Sequence, residues 1–372
     1  MPGRTRLALL LILICSLVLT ACGGTSSASA PAAAPTAPPA PTGNVAGVKL
    51  DSVKQYLLDY GKNDLQAGAD TLKTNVDQYY AALKAANFDY RAAWASGATL
   101  RPLVLTMRTA FNQAHTGYEN VEGIVAGVPS LSQFDTILDA GARGSEGGDN
   151  VADYRITLPD GSSLDKPGNH FHHLLEPMIY GTDPAVLKLA DIDVDGDGTV
   201  GFGDALPDAN LLKGVADSFV SYVNQTMDAI NGWQPTAQDA FTALVTMTPT
   251  MGEYFNNWKE SRYVSGTAST ETAFVAHSRL ADVVGILASL RTIYAGVEPA
   301  IQAKDPAAAT QINQSYRDLA TFVQGLLDKE QAGTKFTPDQ ADVLGKTAQN
   351  QAQVVTGQVT QAAALLQINL DQ

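Results

Sequence analysis

Three of the five histidines in this 372-residue chain, His170, His172 and His173, fall within four positions, and Glu176 follows them at helical spacing. Residues three or four apart on a helix share a face. His173 with Glu176, or His172 with Glu176, can therefore aim an imidazole and a carboxylate at one cation. A second stripe lies upstream: His115, Glu119 and Glu122 stand at i, i+4 and i+7, with Tyr118 beside them, which is one face of a helix. Helices that turn histidines and carboxylates inward are how bundles build metal sites. Taken alone, either stripe reads equally as a solvated helix face. Nitrogen and oxygen donors of this kind make a hard or borderline site suited to iron, manganese or zinc.

A second kind of cation chemistry is written between Asp193 and Asp204. Asp193, Asp195 and Asp197 occupy positions 1, 3 and 5 of a twelve-residue calcium loop, Gly198 the sharp turn at 6, Thr199 the carbonyl position 7 and Asp204 position 12. Asp204 stands where Glu is usual, which shortens the reach to the ion. Gly201 at position 9 leaves that ligand to water. With one such loop in view, the expectation is a structural Ca2+ that pins a linker, in an EF-hand-like loop.

These residues need helices to position them, and helical periodicity dominates the chain. Apolar residues recur at spacings of three and four through 50–86, 90–126, 207–232, 236–259, 270–302, 306–329 and 338–368. Asp305-Pro306 opens one helix, and Thr337-Pro338-Asp339-Gln340 supplies an N-cap, a proline at the first helical position and a capping-box glutamine. Only Tyr154 to Leu158, ahead of Pro159-Asp160-Gly161, alternates like a strand. The expected class is all-α, built of antiparallel bundles.

The N-terminus gives an address. Arg4 and Arg6 precede an apolar run from Leu7 to Leu19, and Leu19-Thr20-Ala21-Cys22 follows. This is the layout of a secretory signal, and its ending resembles a bacterial lipobox. Cleavage would leave Cys22 as the lipidated first residue, anchored on the outer face of a membrane. The run is shorter than the ~20 residues a membrane span requires. Cys15 would leave with the signal, so no thiol would remain for a disulfide or a cysteine metal site. Residues 24–43 are Ser, Ala, Pro, Thr and Gly without charge, a semi-extended spacer. The formal net charge of −14 argues against nucleic acid as partner and favours cations.

The order of motifs resembles a known family. Tyr118-Glu119-Asn120-Val121-Glu122, then Phe171-His172-His173-Leu174-Leu175-Glu176-Pro177-Met178-Ile179-Tyr180-Gly181, looks like the imelysin-like family, whose members carry a Glu-bearing helix followed by a Gly-x-His-x-x-Glu helix. Tyr263-Val264-Ser265-Gly266, Ala276-His277-Ser278-Arg279-Leu280-Ala281-Asp282, Val297-Glu298-Pro299 and Asp305-Pro306 are similar to EfeO-type lipoproteins of bacterial iron uptake. The resemblance implies tandem antiparallel four-helix bundles facing each other across a cleft. It makes His173 and Glu176 the motif pair and Glu119 and Glu122 their helix partners, with His277 and Asp282 facing them from the second half. It also marks departures: the family glycine is Phe171 here, an acidic position has become Arg279, and the histidine doublet leaves two registers open. The calcium loop becomes an insertion between the bundles. The resulting organisation is a signal peptide over 1–21, a tether over 22–45, a first bundle over 46–182, the calcium loop over 183–206 and a second bundle over 207–372.

Several function classes follow. The leading expectation is an extracytoplasmic, lipid-anchored metal-binding protein in the periplasm or on the cell surface. It would take iron, zinc or manganese as the ion or a metal chelate, and would serve iron uptake with a membrane permease as partner. The second is a zinc peptidase of imelysin type, against which the chain lacks His-Glu-x-x-His. A Gly-x-Ser-x-Gly elbow is also missing. The third is a surface interaction module whose only metal is calcium.

Overall fold

A computed structural model describes residues 45–96 and 99–370; the expected signal peptide, Cys22 and most of the tether lie outside them. Helix α1 (Asp51–Tyr60) runs through one π-helical turn, Gly61–Gln66, straight into α2 (Ala67–Ala85). The short α3 (Tyr90–Ala95) precedes α4 (Leu100–Val125) and α5 (Ser132–Asp135). An irregular stretch follows. It holds a hairpin of β1 (Arg155–Thr157) and β2 (Ser163–Asp165), with Ile156 opposite Leu164. It then holds the single turn α6 (Glu176–Ile179) and an antiparallel pair, β3 (Leu187–Leu189) and β4 (Leu206–Pro207). The remainder is helical: α7 (Ala209–Gly232), α8 (Ala237–Met247), α9 (Met251–Glu260), α10 (Arg262–Ser265), α11 (Arg279–Lys304), α12 (Pro306–Gln331) and α13 (Pro338–Leu365).

The all-α class expected from periodicity is what is found, and the stop and start signals act as read. The Asp305 side chain accepts from Ala308 N at 2.9 Å, and Thr337 and Gln340 cap each other reciprocally. Such caps satisfy backbone donors that the first helical turn leaves orphaned. The strand-like Tyr154–Leu158 does pair, around the turn at Pro159-Asp160-Gly161. The helix expected over 270–302 begins only at Arg279, because the backbone before it is held elsewhere, as described below. The stretch 236–259 is broken by a 3-10 turn, Thr248–Thr250, that contains Pro249.

α2 packs against α4 and α7, whereas α8, α9, α12 and α13 gather around α11. α7, expected in the second bundle, therefore belongs with the first, and its apolar face explains why. Phe171 from the irregular stretch wedges between α4 and α7, its ring 5.7 Å from Phe111 and 5.1 Å from Phe219. Both bundles fall within one compact unit, Thr42–Gln372. Their seam is the contact of α4 with α11. Small residues allow a close approach there: a Cβ on Gly123 would lie 2.3 Å from Ser289 Oγ, and one on Gly285 would lie 3.1 Å from the Glu119 carbonyl carbon. Among the described residues α11 is the helix long and apolar enough to cross a membrane. Here its apolar surface is consumed by neighbours on several sides.

Candidate metal centre

The two stripes singled out in the sequence meet at the seam. α4 presents His115, Glu119 and Glu122 inward, all buried. A π-helical turn, Thr136–Ala140, brings in Asp139. A second π-helical turn, His170–Leu175, brings in His172 and leads to Glu176. π turns of this kind cluster at functional sites. Asn169 starts this one, its side-chain oxygen accepting from His172 N at 2.8 Å and His173 N at 3.3 Å. The segment before α11 adds His277, and α11 itself adds Arg279 and Asp282.

Four donor atoms converge. His115 Nε2 lies 3.3 Å from His172 Nε2, 3.0 Å from Glu119 Oε1 and 3.7 Å from Asp139 Oδ1, and His172 Nε2 lies 3.0 Å from Asp139 Oδ1. Two ligands of a tetrahedral ion held at 2.0–2.1 Å stand about 3.3 Å apart, so these separations are those of a ligand shell. Glu119 Oε2 is buried with no hydrogen-bond partner, and a buried acceptor without a donor is costly. On the other side of the His115 ring, Nδ1 lies 3.0 Å from His277 Nε2, which also meets Asp282. A third buried group is Glu122, Asp135 and Asp139. Tyr254 donates its hydroxyl to Glu122, and Tyr118 donates to Asp135 at 2.8 Å.

The charges divide sharply. Burial, reinforced by neighbouring acids, holds the Glu119, Glu122 and Asp135 carboxyls well above the usual carboxylate range. Burial would do the same to Asp139, but the His172 imidazolium outweighs it and keeps that carboxyl well below. For His172, burial pulls down while Asp139 and Glu176 pull up, and the balance lies at about 9. Asp282 is held down against burial by His277 and Arg279.

A cavity of about 350 Å³ opens onto the cluster, with Asp139, His172, Tyr254, Phe274 and Arg279 among the residues that line it. One wall is the non-helical strap ahead of α11. Its backbone donors are captured by Glu176: Oε1 accepts from Val275 N at 2.7 Å and Ala276 N at 2.8 Å, and Oε2 accepts from Phe274 N at 2.8 Å. Glu176 Oε2 also meets His172 Nδ1 at 2.9 Å. Phe274 is forced to a left-handed φ of 54° and packs between the His172 ring and the Arg279 guanidinium.

The sequence model of the family described as Imelysin (peptidase M75) matches residues 54–361, most of the chain. The chain belongs to the imelysin family. No curated protein matches it in a sequence search.

Within this imelysin, His115, Glu119, Glu122, His172, Glu176 and Asp282 come together as one buried cluster with the half-buried His277 at its edge, and His173 does not join it. The π turn carries His173 to the cavity wall, where its Nδ1 meets the Asn169 amide at 2.9 Å and its Nε2 lies 3.5 Å from Glu146. The pair expected as His173 with Glu176 is thus corrected to His172 with Glu176. Glu176 itself holds the strap and fixes the His172 ring, so its oxygens are spent. Orienting a ligand histidine through its second nitrogen is a recurrent device of metal sites. His170 is a core residue, stacked on Tyr154 and bonded to Ser218 Oγ, and burial lowers it to about 4. Asp135, Asp139 and Tyr254 were not anticipated. Their signal was two acids at i, i+4 within the otherwise largely apolar Phe134–Ala140.

The acidic loop is folded by its own side chains. Asp193, Asp195 and Asp197 approach within 4.8 Å of one another. Asp193 accepts from Gly196 N and Gly198 N, and Asp197 from Thr199 N and Oγ1. Asp204 is buried and capped by Val194 N and Gly201 N, each at 2.7 Å, which separates it from the other three. Instead of two helices, the strands β3 and β4 close the loop. Arg101 of α4 donates to the Asp193 carbonyl at 2.6 Å, and Arg108 to the Gly203 carbonyl.

Proposed function

We propose that this imelysin is a membrane-tethered, extracytoplasmic metal-binding lipoprotein, lipidated at Cys22, that serves iron uptake and passes its metal to a membrane permease. The observation that carries this reading is the convergence of His115, Glu119, Asp139 and His172 at ligand-shell distances. Two imidazoles and two carboxylates suit ferrous iron, zinc or manganese. A peptidase reading requires an open metal position and a free general base. The carboxylate at the motif position, Glu176, already accepts from three backbone N–H groups and touches His172, so it is not free to take a proton from water.

Elemental analysis of the soluble protein beginning after Cys22, in excess calcium, tests the reading. Wild type and His173→Ala are expected to retain one transition-metal equivalent, and a His115→Ala/His172→Ala double variant none. No transition metal in the wild type would leave a calcium-pinned binding scaffold in its place.

The same reading includes a structural Ca2+ in the Asp193–Asp204 loop, supported by three carboxylates gathered within 4.8 Å of one another. Free calcium at about a hundred times Kd should then add roughly 2.7 kcal/mol of stability. Asp193→Ala/Asp195→Ala should lose that increment, and a wild-type melting temperature indifferent to calcium would overturn the site.

A further inference from the structure

Beside the four donors lies a second group that the proposed function leaves unused. Ligand atoms of Glu122, Asp135 and Asp139, all buried, lie within 4.8 Å of one another. Oxygens that share one ion held at about 2.1–2.4 Å stand about 3–4.8 Å apart, so the group has the span of a coordination shell. Asp139 belongs both to this group and to the first. Glu119 also faces both: its Oε1 lies 3.0 Å from His115 Nε2, and its carboxyl borders that of Glu122.

Gathered acids alone would say little, but two oxygens here have nothing to meet. Glu119 Oε2 and Glu122 Oε2 are buried without a hydrogen-bond partner, in side chains that are each 2 % exposed. The outer contacts are those of a held ligand set. Tyr254 donates to Glu122 Oε1, and Tyr118 donates to Asp135 Oδ1 at 2.8 Å. Each hydroxyl engages one oxygen of its carboxylate and fixes the direction of the other, as outer hydrogen bonds do around bound metals. The cavity of about 350 Å³, with Asp139 and Tyr254 in its wall, supplies a way in.

Resting on the metal-binding reading above, we propose that the centre is binuclear: Glu122 and Asp135 form a second, oxygen-only cation site, joined to the first through Asp139 and Glu119 as bridging carboxylates. Donors of oxygen alone select magnesium, calcium or manganese rather than zinc. Magnesium keeps several of its waters, which so enclosed a group does not favour, so manganese or calcium is the better occupant. Without an imidazole the second site fills only at higher free metal than the first, and the protein as isolated keeps one transition-metal equivalent. Two ions bridged in this way stand about 3.5–4 Å apart, close enough to couple magnetically.

Manganese(II) titrated into the chelator-treated soluble protein tests this by electron paramagnetic resonance, with equilibrium dialysis alongside. A bridged pair shows hyperfine lines at half the spacing of an isolated ion, whereas manganese in the Asp193–Asp204 loop stays isolated and leaves that signature untouched. Wild type should develop the coupled spectrum as manganese approaches saturation. Glu122→Gln/Asp135→Asn, which keeps an acceptor for each tyrosine, should lose the coupled spectrum and one manganese equivalent yet still hold one zinc, and thermal melts verify that it is folded. A wild type that binds zinc but shows only isolated manganese at saturation overturns the binuclear centre and leaves the single-metal reading standing, with a proton in place of the second ion. Coupling that persists in the folded double variant overturns it as well. Zinc and manganese both missing from the wild type would overturn the metal-binding reading, and this inference with it.

Discussion

Glu176→Ala is expected to destabilise the protein by roughly 4–6 kcal/mol, since three buried N–H donors and an imidazolium lose their acceptor together. Glu176 is 1 % exposed and accepts from the Phe274, Val275 and Ala276 backbone N–H groups at 2.7–2.8 Å. Each orphaned donor costs on the order of 1–3 kcal/mol, and water entering from the adjoining cavity recovers part of it. Glu176→Gln keeps a carbonyl acceptor and the side-chain shape, so its loss should be about half as large. Urea unfolding gives the totals, and amide hydrogen exchange at residues 274–276 should accelerate in both variants. The alanine variant unfolding within about 1 kcal/mol of wild type would show that the strap does not depend on this carboxylate. Zinc stoichiometry adds a separate readout: Glu176→Gln should still bind one equivalent, because Glu176 orients His172 and is not itself a ligand.

The metal-free protein should lose stability as pH rises from about 6.5 to 9. The His172 imidazole is raised from its ordinary 6.5 to about 9 by Asp139 and Glu176. A raised histidine contributes stability that is complete below pH 6.5 and is lost as pH climbs through 9, on the order of 3 kcal/mol in all. The buried Glu119, Glu122 and Asp135 are held protonated in the folded state, so they act in the same direction from lower pH upward. Asp139 and Asp282 are depressed, and their contributions fail only in acid. Urea titrations of chelated protein at pH 6.5 and pH 9 measure the difference, and His172→Gln should flatten it. A metal ion takes the place of the His172 Nε2 proton and of the proton that burial keeps on Glu119, so metal affinity should climb across the same interval, by up to about a hundredfold per pH unit. A flat stability profile in the wild type would mean that His172 is already neutral in the metal-free protein.

The sequence made the long helices legible, because each buries one apolar stripe and periodicity reports such stripes directly. The caps at Asp305 and Thr337 were equally plain, being local chemistry over four residues. The histidine register was not. Helical spacing allowed either His172 or His173 to pair with Glu176, and the family resemblance chose His173; the π turn His170–Leu175 instead aims His172 at Glu176 and carries His173 to the cavity wall. The strap defeated the periodicity for another reason. Its apolar pattern suits a helix, but a carboxylate from a distant segment takes the N–H groups that a helix would use. Asp139 was hidden because the segment that holds it is too short to show a period. Arg279 stood out as a departure from the family pattern, but only the geometry shows it wedged between Tyr254 and Phe274.

The seam between α4 and α11 also bears on how the protein is made. His115 meets His277 across 162 positions of chain, and Glu176 reaches donors 98 to 100 residues downstream. Contacts of such separation form late in folding, after local helices have already condensed. No fragment ending before residue 277 can hold the complete cluster. The four donors proposed for the metal all lie between residues 115 and 172, so on that reading closure of the seam lays the strap and Arg279 over a donor set that the first half of the chain supplies by itself.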